Sequence, residues 1–182
     1  MKVFGIDPGS QRTGYGCVES DGSRHRLVVC GAIVTSPRLG FPAQLLRIHQ
    51  QLSALLAEHR PDCVAVESVF HAVNVRSALV LGHARGVAIL SARECGLPVV
   101  EYTPAEVKRA VVGYGRADKV QVQRMITLLL GLDDPPSPYD VTDALAVAVC
   151  HLHRVPAAVG ARVVAAAAPR GTPRSWRHYR PN

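Results

Sequence analysis

Hydrophobic and polar positions divide the chain into stretches of two different periods. Residues 2–7 (KVFGID) form a short apolar run that closes on an acid, and Pro8-Gly9 follows as a turn signal. Residues 13–20 (TGYGCVES) and 26–35 (RLVVCGAIVT) read as two more strands, with Asp21-Gly22 as the hairpin turn between them. The opening is therefore a three-stranded antiparallel meander. From about residue 42 to 59 the period changes: Leu45, Ile48, Leu52, Leu55 and Leu56 recur at the spacing of an amphipathic helix, and Pro61 ends it. Residues 62–67 (DCVAVE) are an apolar, β-branched run suited to an interior strand. A long helix follows over about 74–95. Gly82 and Gly86 inside it cost about 1 kcal/mol each, and their spacing of four predicts close approach of another backbone. Gly96 is its C-cap candidate. Residues 98–102 (PVVEY) read as a fifth strand. Thr103-Pro104-Ala105-Glu106 is a capping-box pattern with Pro at the first helical position, and it opens a short helix to about residue 112. A loop with Gly113 and Gly115, a helix over about 117–130, a proline-rich loop over 133–138 and a last helix over about 139–153 complete the pattern.

The order β-β-β-α-β-α-β-α-α-α specifies an α/β fold: a mixed five-stranded sheet with helices on both faces, the ribonuclease-H-like architecture. The length of 182 residues fits one domain with a core of its own. An apolar fraction of 48% with 19% charged residues suits a globular chain. No apolar run reaches membrane-span length, and the N-terminus carries no apolar segment of signal-peptide length, so a cytoplasmic protein without membrane contact is expected. Five scattered cysteines (Cys17, Cys30, Cys63, Cys95, Cys150) never form a CxxC pair. They are expected to be small buried residues in a reducing compartment rather than a disulfide framework or a zinc ribbon.

Charge matters once it is located. The formal net charge is +7, but five arginines (Arg162, Arg170, Arg174, Arg177, Arg180) follow residue 154 in a segment without an acid. Residues 1–154 then hold 16 cations against 14 acids. The pattern divides the chain into a folded unit over 1–154 and a basic, disordered tail over 155–182 that can hold a polyanion by counterion release.

Candidate chemistry lies in four carboxylates. Asp7 ends the first strand and Glu67 ends the fourth. If those strands are parallel neighbours, both acids emerge at one edge of the sheet, where open α/β folds place ligands. Asp140 and Asp143 are spaced i, i+3 at the start of the last helix, about 60° apart on one face. Each has an ordinary reading taken alone: a turn former, an ion-paired strand end, two acids at a helix dipole. Together they make a set that would repel itself without cations. Two divalent ions about 3.5–4 Å apart relieve that repulsion and make a phosphodiester-cleaving centre. The all-oxygen donor set selects Mg²⁺, with Mn²⁺ able to substitute.

Five collinear segments resemble the RuvC family of bacterial Holliday-junction resolvases: GIDPGSQRTGYG at 5–16, VESVF at 66–70, NVRSALVLGHARGVA at 74–88, VVGYGRADKVQV at 111–122 and DVTDALAVAVCHLH at 140–153. The resemblance covers about residues 1–154. It implies a homodimer that resolves four-way junctions in recombination and repair by symmetric nicks in opposing strands, leaving 5′-phosphate and 3′-hydroxyl ends. It implies a catalytic, metal-holding tetrad of Asp7, Glu67, Asp140 and Asp143, the same residues the spacing selects. It also implies DNA contacts by Phe70, Lys108 and Lys119, makes helix 74–95 the dimer element, and brings in the RuvA-RuvB branch-migration complex as a partner. Only three lysines stand in the chain against 18 arginines, and two of them, Lys108 and Lys119, fall near the expected site. Phe70 is expected to stack on an unpaired base. His151 and His153, at i, i+2 on a helix, face different ways and make poor joint metal ligands. Val73 departs from the polar or basic character usual in the family's loop after the site.

Three other readings compete. An actin-like ATPase shares the sheet and a DxG loop (Asp7-Pro8-Gly9), but needs a second such domain. A junction-binding module without catalysis would have lost one of the acids. Another ribonuclease-H-like nuclease would lack the segments around Phe70 and Lys119.

Overall fold

The structure is a computed structural model that describes residues 1–36, 38–68 and 74–155. Ten elements follow one another: β1 (Lys2–Asp7), β2 (Arg12–Ser20), β3 (His25–Val34), α1 (Phe41–His59), β4 (Cys63–Glu67), α2 (Val75–Glu94), β5 (Val99–Tyr102), α3 (Pro104–Val112), α4 (Lys119–Leu130) and α5 (Tyr139–Arg154). Their order matches the sequence pattern, and their ends fall within two residues of it.

The strands form one sheet in the order β3-β2-β1-β4-β5. β1, β2 and β3 are the antiparallel meander, whereas β4 lies parallel to β1 and β5 parallel to β4. Alternation along β1 and β4 sorts side chains to the two faces. Phe4, Ile6, Val64 and Val66 pack with Ile48, Leu52 and Leu56 of α1 and with Ala88 and Ala92 of α2. Val3, Cys63 and Ala65 pack on the other side with Val107 of α3, Ile126 of α4 and Leu145 of α5.

α5 is the central helix. Its residues from Val141 to His151 are buried with the exception of Asp143, so it reads as apolar nearly all round. It can lie this close to the sheet because β1 and β2 present glycines to it. A Cβ at Gly5 would stand 2.0 Å from the Ala144 carbonyl oxygen, and one at Gly14 would stand 1.9 Å from that of Asp140. Any side chain there would force the helix off the sheet.

The expected capping box forms: Thr103 Oγ1 accepts from the Glu106 amide, and the Glu106 carboxylate accepts from the Thr103 amide. Asp118 and Gln121 make a second box at the start of α4, which moves that helix start from the expected residue 117 to Lys119. Gly96 adopts the left-handed conformation just beyond α2, as its C-cap reading requires.

One expectation stands open within a single chain, and another needs correction. Gly82 and Gly86 are exposed, and among the described residues nothing lies within 4 Å of a Cβ built on either, so the backbone expected to approach them is not one of this chain's described segments and the expectation turns on a second molecule. The cysteines are all free, but only Cys17, Cys63 and Cys150 are buried; Cys30 is half-buried and Cys95 is exposed. Cys95 is the cap residue after α2, where the chain turns outward toward Gly96. The tail expected over 155–182 lies, from residue 156 onward, outside the described residues.

Candidate active site

The sheet register builds the site from its centre outward. β1 and β4 run parallel with Ile6 opposite Val66, so the next residues, Asp7 and Glu67, leave the sheet side by side. On the other flank, Asp7 is the antiparallel partner of Gly14. Gly14 in turn abuts the backbone of Asp140. One row across the sheet edge therefore joins Glu67, Asp7 and Gly14, and the first turn of α5 sits on its end. Asp143 follows one turn later on the same helix.

The loop after Asp7 is tightly fixed. Buried Thr13 donates from Oγ1 to the Gly9 carbonyl at 2.7 Å and accepts from the Gly9 amide at 3.3 Å. Thr35 Oγ1 donates to the Ser10 carbonyl at 2.6 Å. These bonds hold the turn that carries Asp7 without using the Asp7 carboxylate.

Electrostatics separates the four acids into two pairs. Asp7 is pushed up to about 8, first by burial, then by the charges of Glu67, Asp143 and Asp140; Lys119 offsets this only in part. Glu67 is pushed up to about 7 by burial and by Asp143, against the pull of Lys119, a hydrogen bond with Asp7 and the charge of Lys108. Asp143 is raised by burial but carries a cation of its own, Lys119 Nζ at 3.6 Å from Oδ2. Asp140 is paired with Arg12, whose Nη1 donates to Oδ2 at 3.4 Å. Lys119 Nζ also stands 5.7 Å from the centre of the Tyr139 ring.

All four expected carboxylates thus meet at one edge, with Lys108 and Lys119 beside them. Among the described residues, no three His, Cys, Asp or Glu side chains stand as a group ready to hold a metal ion. Two of the four acids are turned to basic partners instead. The donor chemistry still suits a hard divalent cation: every candidate ligand is a carboxylate oxygen, and Asp7 and Glu67 are short of positive charge. Phe70 and Val73 lie outside the described residues.

His151 and His153 part company as expected. His151 Nδ1 meets the Tyr102 hydroxyl at 2.8 Å, whereas His153 Nδ1 faces the Ala110 carbonyl at 3.0 Å. His153 Nε2 stands 3.0 Å from His25 Nε2, a contact between α5 and β3 that spacing along one helix does not reveal. Sequence reasoning also missed Arg12. Its signal was present: it lies two residues before Gly14, in the motif that carries Asp7.

Comparison with known proteins settles the family. The model of the family "Crossover junction endodeoxyribonuclease RuvC" matches residues 3–151. The chain belongs to the RuvC family. A RuvC crossover junction endodeoxyribonuclease of Koribacter versatilis is 53% identical over 154 residues, which cover 84% of this chain and 93% of the relative. The RuvC of Pelobacter propionicus is also 53% identical, over 182 residues and the full length of both chains, so the likeness extends through the C-terminal segment. Among solved structures, Thermus thermophilus RuvC in complex with a Holliday-junction substrate superposes with a TM-score of 0.80 at 38% identity, covering 83% of this chain and 92% of the other. The ribonuclease-H-like sheet read from the pattern is the RuvC fold. Within it, the four acids lie in segments that the RuvC match spans, 3–151.

Proposed function

We propose that the chain is a structure-specific endodeoxyribonuclease that resolves Holliday junctions by hydrolysing phosphodiesters at the edge formed by Asp7, Glu67, Asp140 and Asp143. The observation that carries this reading is the row Glu67–Asp7–Gly14–Asp140, in a chain of the RuvC family. The family is metal-dependent, and Mg²⁺ is the ion the all-carboxylate set fits, with Mn²⁺ as a substitute and two ions as the expected number. When bound, such ions supply a nucleophilic water and stabilise the leaving 3′-oxygen. Asp7 and Glu67 provide the buried oxygens at the centre, and Asp140 and Asp143 those at the helix side.

The residues around the acids have work of their own. Lys119, at the first turn of α4, and Lys108, on α3, set positive charge beside a site that must admit a phosphate. The fixed turn over Gly9 and Thr13 keeps Asp7 in place at the sheet edge. Phe70 belongs to the DNA-contact set by family resemblance alone.

α2 supports a homodimer. Val75, Leu79, Gly82, Gly86 and Leu90 fall within about 80° on one helix face, and Val75, Leu79 and Leu90 are 78%, 59% and 51% exposed. An apolar stripe with two open glycines suits a second copy of the same helix. The resulting two-fold axis would present two equal sites to a four-way junction, which accounts for paired nicks. Docking to a RuvA-RuvB complex rests on the family alone.

Residues 1–154 form the nuclease unit in this reading. Truncation after Arg154 should keep cleavage and lower salt-resistant junction binding only modestly. Loss of all activity on truncation would give the tail a catalytic part. The dimer is tested by sedimentation: Leu79→Glu should shift the protein to monomer and abolish paired nicking.

A further inference from the structure

We propose that Arg12 is a built-in counter-ion for the metal site: it occupies Asp140 until a divalent cation takes that carboxylate, and the freed guanidinium then binds a phosphate of the DNA. The proposal rests on the four-carboxylate reading above and goes beyond it, because it assigns a residue outside the tetrad a part in both metal and DNA binding.

Three observations support it. Arg12 Nη1 lies 3.4 Å from Asp140 Oδ2, and this is the side-chain contact that engages Asp140 among the described residues. The contact is single and long for a charge-assisted bond, which ordinarily falls at about 2.7–2.9 Å. The two side chains are 48% and 32% exposed, so the pair is open to solvent and easily exchanged. The backbone, in contrast, is locked. Arg12 is the first residue of β2, with Val34 as its partner across the sheet, and Gly14 two residues later touches the Asp140 backbone. The guanidinium therefore stays within side-chain reach of the site when it lets Asp140 go. Its backbone stays anchored at the rim, next to the start of α5.

Chemistry gives the exchange a direction. A monodentate, half-exposed arginine contact is a weak competitor for a carboxylate that a dication can share with three more acids. An arginine set free at that place has a fork of donors suited to phosphate and no other acid of the described site paired with it. Lys119 faces Asp143 in the same way, so the metal-free helix acids are both held by groups that a bound nucleic acid would attract.

The test is Mn²⁺ binding to the full-length, DNA-free protein, followed by the electron paramagnetic resonance of the free ion. Arg12→Ala and Arg12→Gln should each bind Mn²⁺ about two- to fivefold more tightly than wild type, the range an exposed ion pair allows. Asp7→Asn should bind it much more weakly. Junction binding, measured against salt, supplies the second arm. In Ca²⁺, Arg12→Ala should lower the log–log salt slope by about 1; in EDTA it should leave the slope unchanged. Equal or weaker Mn²⁺ binding by both Arg12 variants, with Asp7→Asn still defective, would overturn the counter-ion role and leave the site intact. Wild-type Mn²⁺ binding by Asp7→Asn would overturn the site itself. A slope lowered equally in Ca²⁺ and EDTA would make Arg12 an ordinary phosphate contact and also overturn the exchange.

Discussion

The strand-borne acids and the helix-borne acids of the site are built differently. Asp7 and Glu67 stand side by side at the ends of two parallel strands, deep enough that burial is the largest cause of their raised pKa values, about 8 and about 7. Asp140 and Asp143 ride on the first turns of α5, and each is held by a cation, Arg12 or Lys119. The first pair is short of positive charge and the second pair has it on loan. A site assembled this way keeps a fixed, strained centre and an adjustable rim. The strands fix the backbone of its centre, whereas its rim is held by exposed cations that can exchange.

The sharpest way to break the comparison is to neutralise one member of the centre. Glu67→Gln keeps the shape and removes one charge. Metal assistance is worth several kcal/mol, so junction cleavage should fall at least about 10³-fold, while junction binding by gel shift stays within a few-fold of wild type.

Severing the seam between the pairs comes next. Gly5→Ala places a methyl group 2.0 Å from the Ala144 carbonyl oxygen, against backbone that cannot yield. Overpacking of this kind costs about 1–3 kcal/mol or more. Chemical denaturation should show the loss, and cleavage should fall further than stability alone explains, because α5 carries two of the acids away from the sheet.

pH probes the strand-borne centre without breaking it. Asp7 and Glu67 have ordinary values of 3.8 and 4.5, and in the folded chain they rise to about 8 and about 7. The folded chain then keeps protons that the unfolded chain has lost. Their contribution to stability is fully present below about 4 and disappears as pH rises through about 8. In chelator, the melting temperature of wild type should fall between pH 5 and pH 8.5 relative to Asp7→Asn, which removes most of the slope. A slope that Asp7→Asn leaves as steep as wild type would remove the buried, proton-holding centre from the account.

The mildest change makes the rim resemble the centre. Lys119→Ala leaves Asp143 without its cation, on an exposed lysine. Stability should change by less than about 1 kcal/mol, and the salt slope of junction binding should fall by about 1.

Much of this was legible in the sequence, for physical reasons that differ by element. β1 and β4 announced themselves because interior strands are continuous apolar runs, and an acid at the end of such a run is conspicuous. α5 was legible as a buried helix because its apolar residues leave no polar face except around Asp143. The five-stranded order followed from turn chemistry and from the change of period after β3. The partners of the acids were not legible. Arg12 and Asp140 are 128 residues apart, and only the β1–β2 register with the Gly14 contact brings them together. The spacing of Gly82 and Gly86 could not say whether a neighbouring backbone would belong to the same chain; among the described residues nothing lies within 4 Å of a Cβ at either. The pairing of His25 with His153 escaped for the same cause as Arg12: it depends on how a strand and a distant helix align.

The most direct test is a cleavage assay on a synthetic four-way junction beside a linear duplex of the same sequences, with wild type and Asp7→Asn, in Mg²⁺, in Mn²⁺ and in EDTA. Paired, ligatable nicks are expected in opposing strands of the junction alone, by wild type alone, with either metal and not in EDTA, while Asp7→Asn still binds the junction. Cleavage by Asp7→Asn near the wild-type rate, or by wild type in EDTA, would contradict that expectation.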